Sequence, residues 1–349
     1  MRKKTTADRA SPADTISSVW DPTAPLRHGG RLRQAAAQYG IPLSEWLDLS
    51  TGINPNGWCD AAAPPPAHLW SRLPEDDDGL EQAAAAYYGS DALLPVAGSQ
   101  AAIQALPRLR ERGRVGVISP GYDEHERAWS QTGNRVYPVP IGNIDAAVTG
   151  LDVLVLIHPN NPTGACFTKK DLLRWHADLA ARGGWLVVDE AFIDATPEQS
   201  LASVGPLPGL ILLRSLGKFF GLAGARLGFV LADAAVTRPL DALLGPWTIA
   251  NPCRWLATHA LADQTWQAEN RERLIDDGAR LATLLTHHGL TPGGGTALFQ
   301  WVPTNQATEL HERLARTGIL TRLFNTPAAL RFGLPARASD WERLEQALP

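Results

Sequence analysis

The chain has 349 residues, long enough to bury a large core and to divide into two domains. Its 32 Lys and Arg against 36 Asp and Glu leave a formal net charge of −4, which gives no basic footprint for nucleic acid. No apolar stretch approaches the ~20 residues of a membrane span, and the three cysteines, Cys59, Cys166 and Cys253, fit neither a disulfide framework nor a zinc spacing, pointing to a reducing, cytoplasmic setting.

Residues 1–26 are polar and rich in Ser, Thr, Asp and Pro, without the apolar core of a secretory signal, so they read as a disordered tail. Residues 27–57 form an N-terminal segment with two binding-like runs. These are His28-Gly29-Gly30-Arg31 and Leu47-Asp48-Leu49-Ser50-Thr51-Gly52-Ile53-Asn54-Pro55-Asn56-Gly57. The Ala/Pro-rich stretch over 61–67 reads as a surface loop, and the acidic run over 75–78 as a solvated loop without metal spacing. Val96-Ala97-Gly98-Ser99-Gln100 reads as a loop opening a helix, where free backbone N–H groups suit an anion.

Further along, short apolar runs alternate with helical patterns. Strands are predicted over 115–119, 135–139, 151–157, 185–189, 210–215 and 227–231. A helix is predicted over 168–182, with Leu172, Leu173, Trp175, His176, Leu179 and Ala180 on one face. Such alternation means an α/β fold with a mostly parallel, doubly wound sheet, assigned to a large domain over 58–245. A smaller α+β domain is expected over 246–349. It comprises a long helical region over 252–288, a strand over 297–302, a helix over 307–317, strands over 318–322 and 329–333, and a closing helix from 339.

Three predicted strands run into residues that carry chemistry. The strand over 151–157 leads into His158-Pro159-Asn160-Asn161-Pro162-Thr163-Gly164, a rigid turn whose Asn161 can donate a side-chain N–H. The strand over 185–189 ends in Asp189, and a carboxylate at the C-terminal end of a strand in such a sheet points into the ligand crevice. The strand over 210–215 enters Ser215-Leu216-Gly217-Lys218, with Arg226 eight residues beyond the lysine. A lysine amine attacks aldehydes when it is deprotonated, and partial burial near other cations favours that state. A hydroxyl and a guanidinium supply a hydrogen bond and a bidentate clamp for a phosphate. An amine for an aldehyde, a cradle for a phosphate and a carboxylate for a ring nitrogen together match pyridoxal 5'-phosphate.

On these motifs, and on the HGG start, the GINPNG run, Asp189-Glu190-Ala191-Phe192-Ile193-Asp194 and Pro246-Trp247, the chain resembles fold-type I pyridoxal phosphate enzymes of the aspartate aminotransferase superfamily. Within that superfamily it looks most like the threonine phosphate decarboxylases of cobalamin biosynthesis, with histidinol phosphate aminotransferases as close relatives. The resemblance implies that Lys218 carries the cofactor and that Asp189 pairs with the pyridine nitrogen. It implies Asn161 as donor to the phenolate oxygen, Tyr122 as the aromatic stacked on the ring, and Gly98, Ser99, Gln100, Ser215 and Arg226 around the phosphate. Phe192 stands where aminotransferases usually carry a tyrosine, which favours a decarboxylase.

For the substrate, the resemblance makes Arg331 the carboxylate clamp and Asn161 a further contact. Arg322 and His28, with Gly29 beside it, are candidates for a substrate phosphate. A homodimer with composite active sites is also implied, with residues 28–57 packing on the small domain or reaching across the interface. The implied reaction is decarboxylation of threonine phosphate to aminopropanol phosphate. An aminotransferase acting on histidinol phosphate shares every cofactor residue named here. A non-catalytic partner in corrinoid assembly would have no need of Lys218.

Overall fold

The computed structural model describes residues 28–58 and 64–349. The tail predicted over 1–26, residue 27, Cys59 and the first part of the loop predicted over 61–67 lie outside the described residues. The strands are β1 (Leu47–Asp48), β2 (Leu93–Val96), β3 (Arg114–Ser119), β4 (Arg135–Pro140), β5 (Val153–Ile157), β6 (Trp185–Asp189), β7 (Leu210–Ser215), β8 (Gly228–Leu231), β9 (Gly294–Thr296), β10 (Phe299–Pro303), β11 (Ile319–Leu320), β12 (Arg322–Asn325) and β13 (Ala328–Gly333).

Seven strands form the large sheet in the order β2-β8-β7-β6-β5-β3-β4. Pairing is parallel from β7 to β4, and β8 runs antiparallel to both β7 and β2. The expected α/β class with a mostly parallel sheet therefore holds. The chain passes outward from β3 to β4, then returns to β5 on the other side of β3. Connections diverge at that point, so a crevice opens beyond the C-terminal ends of β3 and β5.

Helices cover both faces of this sheet, which is why its strands are continuous apolar runs rather than alternating ones. Along β5, Val153 and Val155 pack with Val115, Val117, Val187 and Ile211 on one face. Leu154 and Leu156 pack with Leu186, Val188, Leu210 and Leu212 on the other. Each such buried side chain contributes about 1.5–3 kcal/mol. The helix predicted over 168–182 runs Lys169–Ala180, with Thr168 as its N-cap accepting from the Asp171 N–H.

The helical region predicted over 252–288 is two helices, Asn251–Ala262 and Gln264–His287. Asp263 breaks it, because its carboxylate caps the second helix by accepting from the Trp266 N–H at 3.0 Å. The same carboxylate accepts from Trp58 Nε1 at 3.0 Å. No helix among the described residues is long and apolar enough to cross a membrane.

The smaller antiparallel sheet has the order β12-β13-β10-β9. The strand predicted over 318–322 divides at buried Thr321. Its first part, β11, pairs in parallel with β1 through Leu47↔Ile319 and Asp48↔Leu320. Its second part, β12, pairs with β13 through Arg322↔Arg331. Besides β1, two strands have no sequence signal. β2 contains Pro95, tolerated because it lies at the sheet edge, and β9 is built on Gly294 and Gly295, weak strand formers.

Candidate active site

A cavity of about 370 Å³ opens at the crevice, bounded on one side by the C-terminal ends of the large-sheet strands. Asp189 closes β6, and Ser215 closes β7 with Lys218 in the turn beyond it. Tyr122 and Asn161 lie in the turns after β3 and β5. All five side chains line the cavity, as do Ser99 and Gln100 from the first turn of the helix Ser99–Ala105. The opposite wall comes from the N-terminal segment and the small sheet, which contribute His28, Gly29, Arg322 and Arg331. Residues far apart in the chain are thus gathered at one place by the strand order.

Lys218 lines the wall with its ammonium 5.4 Å from the centre of the Phe192 ring. Removal from water, together with the charges of Arg331 and Arg226, lowers its pKa from 10.5 to about 8 against the opposing pull of Asp189. That brings a free amine within reach of neutral pH. Asp189 is buried, with Oδ1 accepting from the Ala191 N–H at 3.0 Å and Oδ2 lying 3.0 Å from His125 Nε2. Both oxygens are thereby oriented. His125 was not foreseen, and its only sequence signal is its place three residues after Tyr122 at the start of a helix.

Anion-binding groups gather beside this wall. Arg226 has left-handed backbone angles, φ 48° and ψ 56°, in the turn before β8. Its guanidinium passes so close to Gly98 that a Cβ there would lie 2.7 Å from Nη2. Gly98 itself has φ +75°, which favours glycine, and a side chain there would displace the Arg226 guanidinium. Ser215 Oγ accepts from the Gly217 N–H at 3.3 Å, which fixes the start of the lysine turn.

Arg331 is buried and stands over the Phe299 ring, 4.9 Å from its centre. Its Nη1 donates to Asn161 Oδ1, and its Nη2 donates to the Ser50 carbonyl at 2.8 Å. Its Nε has no hydrogen-bond partner. Burial and the charge of Arg322 bring its pKa down to about 9, against the pull of Asp48. Because a guanidinium only donates, the Asn161 oxygen must face Arg331, and the amide N–H₂ is left as the donating end.

The N-terminal segment is held down at Ser50. The Gly30 N–H donates to Ser50 Oγ at 2.7 Å, and Ser50 Oγ donates to Asp48 Oδ1 at 2.5 Å. A Cβ at Gly29 would lie 2.3 Å from the Ser50 carbonyl oxygen, so only glycine passes there. The motif around Gly29 is legible in the sequence, whereas the roles of Ser50 and Asp48 come from contacts that local pattern does not carry. Behind the cavity, Glu190 and Asp194 hold buried Arg214: Arg214 Nη1 donates to Glu190 Oε2 at 2.8 Å and Nη2 to Asp194 Oδ1. Neighbouring residues therefore diverge, with Asp189 and Ser215 lining the cavity while Glu190 and Arg214 tie the strand ends together beneath it.

The sequence profile of the aminotransferase class I and II family matches residues 70–348. The chain belongs to that family. A threonine-phosphate decarboxylase from Pseudomonas aeruginosa is 55% identical over 93% of this chain and 97% of its own length. A histidinol-phosphate aminotransferase from Sinorhizobium meliloti, solved in complex with pyridoxal-5'-phosphate, superposes with a TM-score of 0.79 at 22% identity, over 96% of this chain and 98% of that one. The L-threonine-O-3-phosphate decarboxylase from Porphyromonas gingivalis gives a TM-score of 0.72 at 20% identity, covering 86% and 97%. The resemblance read from the motifs is thus borne out.

Proposed function

We propose that this chain binds pyridoxal 5'-phosphate and decarboxylates threonine phosphate to aminopropanol phosphate in the cobalamin pathway. The similarity to the Pseudomonas decarboxylase over nearly the whole of both chains carries that reading. The cavity supports it, because an amine, a buried carboxylate and separate cationic groups meet there.

The residues fit the cofactor. Lys218 offers an amine for its aldehyde, and Asp189, steadied by His125, offers a carboxylate for the ring nitrogen. The cradle of Ser99, Ser215 and Arg226, which a side chain at position 98 would fill, suits its phosphate. The donating end of Asn161 suits the phenolate oxygen, and Tyr122 a ring face. When bound, the cofactor draws electrons from the bonds at the substrate's Cα.

On the substrate side, Arg331 takes the carboxylate, using the Nε that no protein atom satisfies. Arg322 and His28, with Gly29, lie at the phosphate end. Holding the substrate at both ends fixes the torsion at Cα, so that the bond to the carboxylate is the one weakened. Carbon dioxide leaves first, with the electron pair of the broken bond remaining, and Lys218 in its ammonium form would then give a proton to Cα.

The same reading includes a cytoplasmic homodimer with sites shared between subunits. Trp70, Leu73 and Trp247 are 70%, 61% and 61% exposed, and Asn251 Nδ2 donates to the Arg72 carbonyl at 2.9 Å, which joins the segments that carry them. An exposed apolar group of this kind suits a subunit interface. It also divides the chain into the N-terminal segment 27–57, a large domain over 58–245 and a small one over 246–349.

The deciding experiment incubates the enzyme with labelled threonine phosphate and no 2-oxo acid. Release of carbon dioxide with aminopropanol phosphate is expected. Glutamate formed from histidinol phosphate and 2-oxoglutarate, with no carbon dioxide released, would instead make the chain an aminotransferase.

A further inference from the structure

We infer that Glu124 is a positioning residue that sets selectivity for a phosphorylated substrate by holding His28 at the cavity. The inference rests on the function proposed above. Glu124 occupies the first turn of the helix Asp123–Gln131, and its side chain is only 13% exposed. It does not itself line the cavity, whereas His28, Gln100 and Tyr122 around it do.

Both carboxylate oxygens are committed. Oε1 lies 2.8 Å from His28 Nε2. Oε2 accepts from Gln100 Nε2 at 3.0 Å and from Gln104 Nε2 at 3.2 Å. Gln100 Oε1 in turn accepts from the Tyr122 hydroxyl at 3.3 Å, and the Tyr122 and His28 rings are 5.7 Å apart. A single carboxylate therefore ties the N-terminal segment to the helix Ser99–Ala105 and, through Gln100, to Tyr122.

A largely buried carboxylate behind a cavity for anions is a cost unless its position serves a purpose. Acids at a helix start are commonly explained by the helix dipole alone. That explanation accounts for the placement but not for a contact to His28, 96 residues away. An ionised carboxylate can only accept, so His28 Nε2 carries the hydrogen of this contact, and Nδ1, the nitrogen not committed to Glu124, donates to a phosphate in the doubly protonated ring, whose charge the carboxylate faces. The backbone beside His28 is pinned separately, through the Gly30 N–H on Ser50 Oγ. Loss of Glu124 would thus release the imidazole while leaving the segment in place, and the effect would fall on the phosphate end of the substrate.

The test is Glu124→Gln, which is isosteric but uncharged: with its oxygen on the two glutamines it can keep His28 only by donating to Nε2, which leaves the ring neutral with its single hydrogen on Nδ1. Calorimetry on the cofactor-loaded enzyme would compare 3-phosphooxybutanoate with 3-hydroxybutanoate, which lack the amine and cannot react. The preference for the phosphorylated ligand, the dissociation constant of 3-hydroxybutanoate divided by that of 3-phosphooxybutanoate, should fall about tenfold or more, the scale of one hydrogen bond to a charged group. The cofactor absorbance should stay intact, and KM for threonine phosphate should rise more than kcat falls. His28→Ala should show the same loss, and adding Glu124→Gln to it should cost nothing further. An unchanged ratio, additive losses in the double variant, or loss of cofactor from Glu124→Gln would each overturn the inference, as would a wild-type enzyme indifferent to the phosphate. Wild-type enzyme that prefers the phosphorylated ligand but releases no carbon dioxide would overturn the decarboxylase function and leave the role of Glu124 standing.

Discussion

Arg331 and Asn161, 170 residues apart, meet at the cavity, where the guanidinium Nη1 donates to the amide oxygen. The contact joins β13 of the small sheet to the turn after β5 of the large one. It also orients both side chains, since each fixes which end of the other remains available to a ligand. Arg331→Ala should lower kcat/KM by about 10²-fold or more, as expected when a buried charged contact loses one partner. Arg331→Lys should restore little, because an ammonium cannot reproduce the guanidinium fork. Steady-state kinetics on threonine phosphate, with cofactor content checked by absorbance, measures this. A loss below threefold would remove Arg331 from the binding of substrate.

Lys218 should behave as an unusual amine. Its pKa falls from 10.5 to about 8, chiefly through burial. In the cofactor-free protein, acylation of Lys218 followed by peptide mapping should therefore show a midpoint near pH 8. The same depression fixes a sign for stability. Between about pH 8 and 10.5 the unfolded chain holds a proton there that the native chain has lost, so stability gains from this residue as pH rises through the window. Below pH 8 the cost of the buried cation is present in full. Lys218→Met should remove this pH-dependent gain, which thermal melts of both proteins would detect. In the loaded enzyme, borohydride reduction should leave the pyridoxyl group on Lys218 and not on Lys169 or Lys170.

Asp189 and His125 should separate by magnitude. Asp189→Ala is expected to retain cofactor but lose about 10²-fold or more in kcat, the usual scale for one electrostatic partner. His125→Phe leaves the carboxylate in place without its 3.0 Å contact, so a loss of about tenfold is expected. Equal losses would mean that His125 does more than orient Asp189.

Gly98→Ala tests the phosphate cradle. Its Cβ would lie 2.7 Å from Arg226 Nη2, and its φ of +75° is unfavourable for alanine. Cofactor should dissociate about tenfold faster or more, through displacement of a charge-assisted contact. Absorbance after gel filtration reports retention, and full retention would show that Arg226 has room to move.

Much of the wall formed by the large sheet was legible because its residues follow apolar runs at once. Asn161, Asp189, Ser215 and Lys218 each stand within a few positions of a strand end, where topology decides what faces the crevice. Glu124, His125 and Ser50 were not legible, because their importance comes from contacts with His28, Asp189 and Arg331 that only the folded chain creates. The same holds for secondary structure. The valine- and leucine-rich strands could be read from composition, whereas β2 with Pro95 and β9 with its glycines exist only because neighbours accept them.

The divergence of Asp189 and Glu190 limits how this sequence can drift. Asp189 looks into the cavity, while Glu190 is spent on Arg214 beneath it. Moving the strand by a single residue in one direction would send Glu190 to the cofactor's side and leave Ala191 facing the Arg214 guanidinium, and in the other it would put Val188 in the place of Asp189. Insertions and deletions within β6 should therefore be lethal to both catalysis and folding at once. Exposed surface segments away from the cavity should absorb changes of length. A library of single-residue deletions across the gene would show β6 as a gap with no survivors.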